Sequence, residues 1–186
     1  MIKYFITDFD GTLVNTKKAN VMAYKEAFIE CGYVLNEDLY KEAFGLRFDS
    51  MCNALGITEN KTIRDRIKSK KASVYPKYFG MIELNTALLN FIKSLKKTGA
   101  KVAIASTASR ENLYGVLKYF KIENLWDAVV VGEDVEHGKP DPEVYNITKD
   151  KLDVKDDSEV IVFEDTEVGI EAANKAGINN VIKITI

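Results

Sequence analysis

The chain has 186 residues, 46% of them hydrophobic and 29% charged. That is enough for one good core, or a core with a small accessory domain, and the balance is that of a soluble globular protein. A net charge of −2 argues against a general nucleic-acid binder, and no apolar run approaches a membrane span.

The first apolar run, Ile2 to Ile6, predicts a buried strand, and Asp8-Phe9-Asp10-Gly11-Thr12 follows it directly. Open α/β sheets place their ligands at the carboxyl ends of strands. In an extended chain residues two apart share a side, which puts Asp8 with Asp10, and Gly11 lets the backbone turn away. Carboxylates this close repel unless one is protonated or a cation lies between them. The economical reading is a divalent metal, with one carboxylate left for chemistry. The bland reading is an acidic turn after a strand, because Asp and Gly are ordinary turn residues.

From Thr16 to about Gly80 the pattern is helical. Ala19, Met22, Ala23 and Ala27 recur at helical spacing. Asn36 predicts an N-cap, and Gly45 after Phe44 a stop. Met51, Cys52 and Leu55 mark a short helix closed by Gly56. Thr58 predicts the cap of a longer helix, with Ile63, Ile67, Val74 and Tyr78 inward. Its outward face, Arg64, Arg66, Lys68, Lys70 and Lys71, reads as solvated and only secondarily as an attractor of anions. Residues 16–79 hold 12 basic and 8 acidic side chains, so +4, which leaves −6 for the rest of a chain whose total is −2. A basic module beside an acidic one suits a small anionic substrate. Cys31 and Cys52 both lie here, among apolar neighbours, and read as buried free thiols.

Beyond Gly80 helices and strands alternate. A helix is predicted from about Asn85 to Thr98, stopped by Gly99, then a strand at 101–105 leading into Ser106 and Thr107. A helix near 111–119 and a short strand at Ala128–Val131 follow. The loop His137-Gly138-Lys139-Pro140-Asp141-Pro142, stiffened by its prolines, opens the next helix. A strand at 159–163 delivers Glu164 and Asp165, a helix at 167–176 is closed by Gly177, and a last strand covers 180–185. Five strands alternating with helices imply an α/β fold, a Rossmann-like doubly wound parallel sheet with right-handed crossovers. The expected division is a core of 1–15 and 81–186, with a helical insertion at 16–80.

Several of these residues have two readings. Ser106 is either an ordinary turn residue or a hydroxyl for a phosphoryl oxygen, and Thr107 competes with it at a shift of one residue. Lys139 is a surface lysine or a fixed cation. His137 reads as an exposed loop residue. Glu164 and Asp165 offer hard oxygen ligands, and no Cys or His cluster supports zinc.

Together the Asp8 motif, Ser106, Lys139-Pro140 and Glu164-Asp165 resemble the haloacid dehalogenase superfamily, in its phosphatase and β-phosphoglucomutase branch, over nearly the whole chain. The resemblance implies a strand order of 3-2-1-4-5 in order of appearance and a cap formed by the helical insertion. Compared with longer relatives the chain ends early, and a terminal helix is expected to be missing. The resemblance also implies that Asp8 is the nucleophile, forming an aspartyl-phosphate, and that Asp10 is general acid and then base. Ser106 and Lys139 would hold the phosphoryl group, with Gly11, Thr12 and Thr107 beside them. Mg²⁺ would sit among Asp8, the Asp10 main-chain oxygen, Glu164 and Asp165, with Glu164 binding directly or through water. Four carboxylates and a phosphate of about −2 face one lysine and one divalent cation, so neither cation is dispensable.

Specificity is expected from the cap. Arg47 lies near where β-phosphoglucomutases grip a distal phosphate, although an exposed helix-start arginine fits equally. Asn20 stands where mutases carry a histidine, which counts against mutase activity. Thr12 points the same way, since phosphatases usually carry Thr there. Asn15 replaces a common Asp and can still cap a helix. The expected activity is Mg²⁺-dependent hydrolysis of a small phosphorylated metabolite, of phosphoglycolate or sugar-phosphate type. The alternatives are a β-phosphoglucomutase-like phosphotransferase and a non-catalytic binding protein. With no charged, apolar leader before the first strand, a cytoplasmic monomer or weak dimer is expected, without nucleic-acid or membrane partners.

Overall fold

The computed structural model describes residues 1–43, 46, 48–57, 61–184 and 186. Phe44, Gly45, Arg47 and Thr58, each assigned a role from sequence, lie outside the described residues. The chain divides into two compact units, one of residues 1–15 and 83–186 and one of residues 16–82.

The first unit is built on a parallel sheet. Its strands are β1 (Tyr4–Thr7), β4 (Lys101–Ala105), β5 (Ala128–Val130), β6 (Val160–Glu164) and β7 (Val181–Lys183), in the order β5-β4-β1-β6-β7. In order of appearance this is 3-2-1-4-5, all neighbours parallel. β1 is central, so its end is flanked by strand ends on both sides. It starts and finishes later than the apolar run suggests, because pairing sets its limits: Thr7 lies opposite Ile104 on one side and Phe163 on the other.

Period-two alternation divides the sheet residues between two cores. Ile6, Ala103, Ala105, Val160 and Val162 join one cluster, with Val144, Tyr145 and Leu152 of α7 (Glu143–Leu152) and Ala172 and Ala173 of α8 (Glu167–Lys175). Phe5, Val102 and Phe163 join the other, with Leu88 and Ile92 of α5 (Thr86–Lys97). Small residues on the first face admit α7 and α8 closely. α6 (Arg110–Tyr119) completes the unit's main helices.

A further pairing was not legible in the pattern. Val14–Asn15 (β2) and Glu83–Leu84 (β3) form a two-residue antiparallel ladder, Val14 opposite Leu84 and Asn15 opposite Glu83. Asn85 extends the junction, its backbone N–H donating to Leu13 O at 2.9 Å and its side chain to Thr12 O at 3.1 Å. The points where the chain leaves and re-enters this unit therefore lie side by side, and the boundary falls at 82, two residues beyond the expected 80.

The second unit is helical: α1 (Lys17–Glu30), α2 (Glu37–Glu42), α3 (Phe48–Ala54), α4 (Lys61–Val74) and a 3₁₀ segment Tyr75–Met81. Asn36 caps α2, its Oδ1 accepting from the N–H groups of Asp38 and Leu39. Thr16, not Asn15, occupies the N-cap position of α1. Ala27, Phe28, Tyr40, Cys52 and Ile67 form the centre of its core.

Lys71 departs from the sequence reading, which put it on the solvated face. Only 5% of it is exposed, and its ammonium lies 3.6 Å from the ring centroid of Tyr75 and 5.3 Å from that of Tyr24. Aromatic faces attract a cation, and the long stem buries readily, so pattern alone misplaces it. Arg64 is also drawn inward, donating to Asn53 Oδ1 at 2.5 Å and Ile57 O at 2.6 Å. Both cysteines are free; Cys52 is buried, and burial pushes its thiol up to about 11, while Cys31 is only half-buried at the end of α1. Among the described residues no helix is long and apolar enough to cross a membrane.

Candidate active site

The carboxyl ends of adjacent strands collect the chemistry. Asp8 follows β1 directly, its N–H donating to Phe163 O at 2.9 Å. Glu164 ends β6, one step beyond the paired Thr7 and Phe163, so Asp8 and Glu164 stand abreast. They continue the alternation of Ile6 and of Val160 and Val162, and so face α7 and α8. Asp165 follows at the next position. Ser106 occupies the matching place after β4, on the other side of β1.

Past Asp8 the chain turns at once. The N–H groups of Leu13 and Val14 both donate to Phe9 O, at 3.1 and 3.0 Å, and Gly11 N–H donates to Val14 O at 2.7 Å. Asp10 lies within this turn, beyond the strand, where period two no longer holds. The clustered carboxylates are Asp8, Glu164 and Asp165, each offering an oxygen within 4.8 Å of the others; the Asp10 carboxylate is not in that set. Gly11 has φ +96°, and a Cβ there would lie 2.2 Å from Asp165 Oδ2. The turn and Asp165 fit together only because the side chain is absent. Thr12, fully buried, donates its hydroxyl to Asp165 Oδ1 at 3.2 Å.

Lys139 reaches this cluster from the loop between β5 and α7. Its Nζ lies 2.6 Å from Asp8 Oδ1 and 2.6 Å from Glu164 Oε2. The loop is fastened at its base: the Glu143 carboxylate accepts the N–H groups of Glu136 and His137 at 2.9 and 2.8 Å. Asp141 Oδ1 accepts the Glu143 N–H at 2.9 Å, and the Lys139–Pro140 bond is cis. His137 is exposed, as expected.

Burial and the negative charges of Glu164 and Asp10 push the Asp8 carboxyl well above its ordinary range, with Lys139 offsetting only part. Burial would lower the Lys139 ammonium, but Asp8 and Glu164 hold it well above its usual value. Burial likewise opposes ionisation of Glu164, yet Lys139, Tyr145 and Thr166 keep it below the usual range. Burial and the neighbouring Glu164 raise Asp165. Three carboxylates against one ammonium leave the cluster at −2 when all are charged. A crowded set of hard oxygen donors with surplus negative charge fits a divalent cation such as Mg²⁺.

Ser106 is 2% exposed, and its Oγ accepts the Ala108 N–H at 3.0 Å, which shapes the loop entering α6. Thr107 is half-buried, and its carbonyl packs so closely on Gly132 that a Cβ there would lie 2.5 Å away. Asn20 belongs to the helical unit, where its side chain donates to Thr16 Oγ1 at 3.0 Å. The structure thus brings Asp8, Gly11, Thr12, Lys139, Glu164 and Asp165 together, with Ser106 at the adjoining strand end.

Three participants escaped sequence reasoning. Thr166 donates to Glu164 Oε1 through its hydroxyl at 2.8 Å and its N–H at 3.2 Å. Gly169, in the first turn of α8, lies so close that a Cβ would be 2.0 Å from Glu164 Cδ. Tyr145 donates its hydroxyl to Glu164 Oε2 at 2.8 Å. The Thr166-x-x-Gly169 step at a helix start was a usable signal; a tyrosine in an apolar helix stripe was not.

A family model described as haloacid dehalogenase-like hydrolase matches residues 5–183. The phosphorylated carbohydrates phosphatase of Thermotoga maritima is 28% identical over 181 residues, covering 95% of this chain and 82% of its own. Pyrophosphatase PpaX of Bacillus cereus is 27% identical over 178 residues, covering 95% and 80%. The crystal structure of CbbY from Rhodobacter sphaeroides in complex with phosphate shares the fold, with a TM-score of 0.85 at 23% identity over 99% of this chain and 87% of that one.

Proposed function

The chain belongs to the haloacid dehalogenase-like hydrolases, and from that premise we propose that it is a Mg²⁺-dependent phosphatase of a small phosphorylated metabolite, of sugar-phosphate or phosphoglycolate type. The Lys139 ammonium set between Asp8 and Glu164, at the ends of β1 and β6 and beside Asp165, carries this reading. The relatives' names, a phosphorylated carbohydrates phosphatase and a pyrophosphatase, support the substrate class.

In this reading an Asp8 carboxylate oxygen bonds to phosphorus as the ester P–O bond breaks, and the leaving oxygen takes a proton from Asp10. Water then attacks phosphorus and gives its proton to Asp10, the bond to Asp8 breaks, and inorganic phosphate leaves. Asp8, Asp165 and the Asp10 main-chain oxygen would hold Mg²⁺, with Glu164 beside them, and the bound ion would neutralise carboxylate and phosphate charge. Lys139 and Ser106 hold the phosphoryl oxygens, with Gly11, Thr12 and Thr107 around them. Residues 16–82 act as the cap, and Asn20 and Arg47 are its proposed substrate contacts.

Purified protein tested on a panel of phosphorylated metabolites with Mg²⁺ should turn over a subset, and chelation should abolish turnover reversibly. Asp8→Asn should fold and lose activity by about 10³-fold or more, as loss of a covalent nucleophile removes the pathway. Activity in excess chelator, or undiminished in Asp8→Asn, would refute the mechanism. Turnover that appears only with an added sugar bisphosphate would instead assign a phosphotransferase.

A further inference from the structure

Tyr145 sits on α7 among Ile6, Val144, Val162 and Ala172, and as a core filler its ring needs no further account. Its hydroxyl does. The residue is fully buried, and a phenylalanine would fill the same space without an oxygen to satisfy. The hydroxyl donates to Glu164 Oε2 at 2.8 Å, the same oxygen that receives Lys139 Nζ at 2.6 Å. The Lys139 ammonium also lies 5.1 Å from the centroid of the Tyr145 ring. Glu164 Oε1 is claimed separately by Thr166, and Gly169 packs against the carboxylate from α8.

The result is a chain of fixed groups, Tyr145 to Glu164 to Lys139 to Asp8. An ammonium has three N–H donors, and the bonds to Glu164 and Asp8 use two. Where the third points depends on where the Glu164 oxygen is held. Thr166 and Gly169 hold the carboxylate from its Oε1 side and from α8, and the tyrosine hydroxyl adds a fixed donor on Oε2 itself, the oxygen that the flexible lysine shares.

We propose that Tyr145 is a positioning residue, whose hydroxyl fixes Glu164 and thereby aims Lys139 at the phosphoryl group on the Asp8 side. The inference rests on Lys139 being the phosphate-binding cation of the proposed reaction. Tyr145 touches neither substrate nor reacting atoms, so it acts through Lys139 on every phosphate ester alike.

A double-mutant cycle tests this by titrating inorganic phosphate into Mg²⁺-loaded protein in a calorimeter. Tyr145→Phe should weaken phosphate binding about tenfold, comparable to one hydrogen bond to a charged group. In a Lys139→Met background the same substitution should change it less than twofold. Equal weakening in both backgrounds makes Tyr145 merely structural and overturns the proposal, as does no weakening in either. A second readout uses unmutated protein. The buried Tyr145 hydroxyl proton should give a slowly exchanging resonance that shifts when Mg²⁺ and phosphate are added together; a resonance that ignores them overturns the proposal. Unmutated, Mg²⁺-loaded protein that binds no phosphate refutes the functional reading itself, a failure distinct from an unchanged Tyr145→Phe.

Discussion

Glu164 shows how much packing one charged side chain needs at the carboxyl end of an interior strand. It is 1% exposed, and both its oxygens are claimed, Oε2 by Lys139 and Tyr145 and Oε1 by the Thr166 hydroxyl and N–H. A buried carboxylate persists only when paired and hydrogen-bonded in this way. The space it occupies exists because residue 169 has no side chain. Gly169→Ala should therefore destabilise the protein, by about 1–3 kcal/mol for overpacking, although alanine is the better helix former by about 1 kcal/mol. Urea unfolding gives the sign directly, and a gain in stability would show that Glu164 can shift without cost. Asp8, Lys139, Glu164 and Asp165 were legible in sequence because each lies at a strand end or in a proline-flanked loop. Tyr145 was not, since its spacing is that of any core residue and only the fold shows what its hydroxyl meets.

Among elements, the starts and stops of helices were read well where short-range chemistry decides them. Asn36 caps α2, Asn85 caps α5, and Gly99 and Gly177 take positive φ just after α5 and α8. The β2–β3 ladder escaped because two residues per strand carry no periodicity. The environment of Lys71 escaped because the rings of Tyr24 and Tyr75 converge only in three dimensions. One element junction depends on pH. Asp134, in the turn after β5, accepts the Val131 N–H at 3.1 Å and pairs with Arg110 of α6 and Lys151 of α7. Burial would raise its carboxyl, but the Val131 amide, Lys151 and Arg110 together hold it below the ordinary range. A depressed carboxyl contributes stability above its unfolded value of about 4 and loses it as pH falls through the folded value. The urea midpoint of Asp134→Asn should thus fall below that of the unmutated protein at neutral pH, and the gap should close as the pH drops below about 4. A gap that stays constant with pH would remove Asp134 from the acid response.

At the scale of the whole molecule, the parallel sheet follows from the alternation of strands and helices and the insertion from its helical spacing, whereas the central place of β1 was implied only by the family resemblance. The ladder joining Val14–Asn15 to Glu83–Leu84 is the feature that gives the insertion its standing. Polymer physics makes its consequence concrete. Two antiparallel strands define a hairpin, and to the sheet unit residues 16–82 are that hairpin's turn. The entropy of closing a flexible loop grows only logarithmically with length, about 0.6 kcal/mol for each doubling. A self-folding insert also fixes its own ends. The sheet unit should therefore tolerate inserts of very different length, provided their termini meet the ladder. Replacing residues 16–82 by Asn-Gly, the two-residue turn suited to a hairpin, should leave a chain that unfolds cooperatively and keeps the parallel-sheet circular dichroism. A molten or aggregated product would show that the sheet unit draws stability from the insert. If the short chain folds, length in this segment is nearly neutral for the fold, and its sequence is open to change by whole-segment exchange as well as by point substitution.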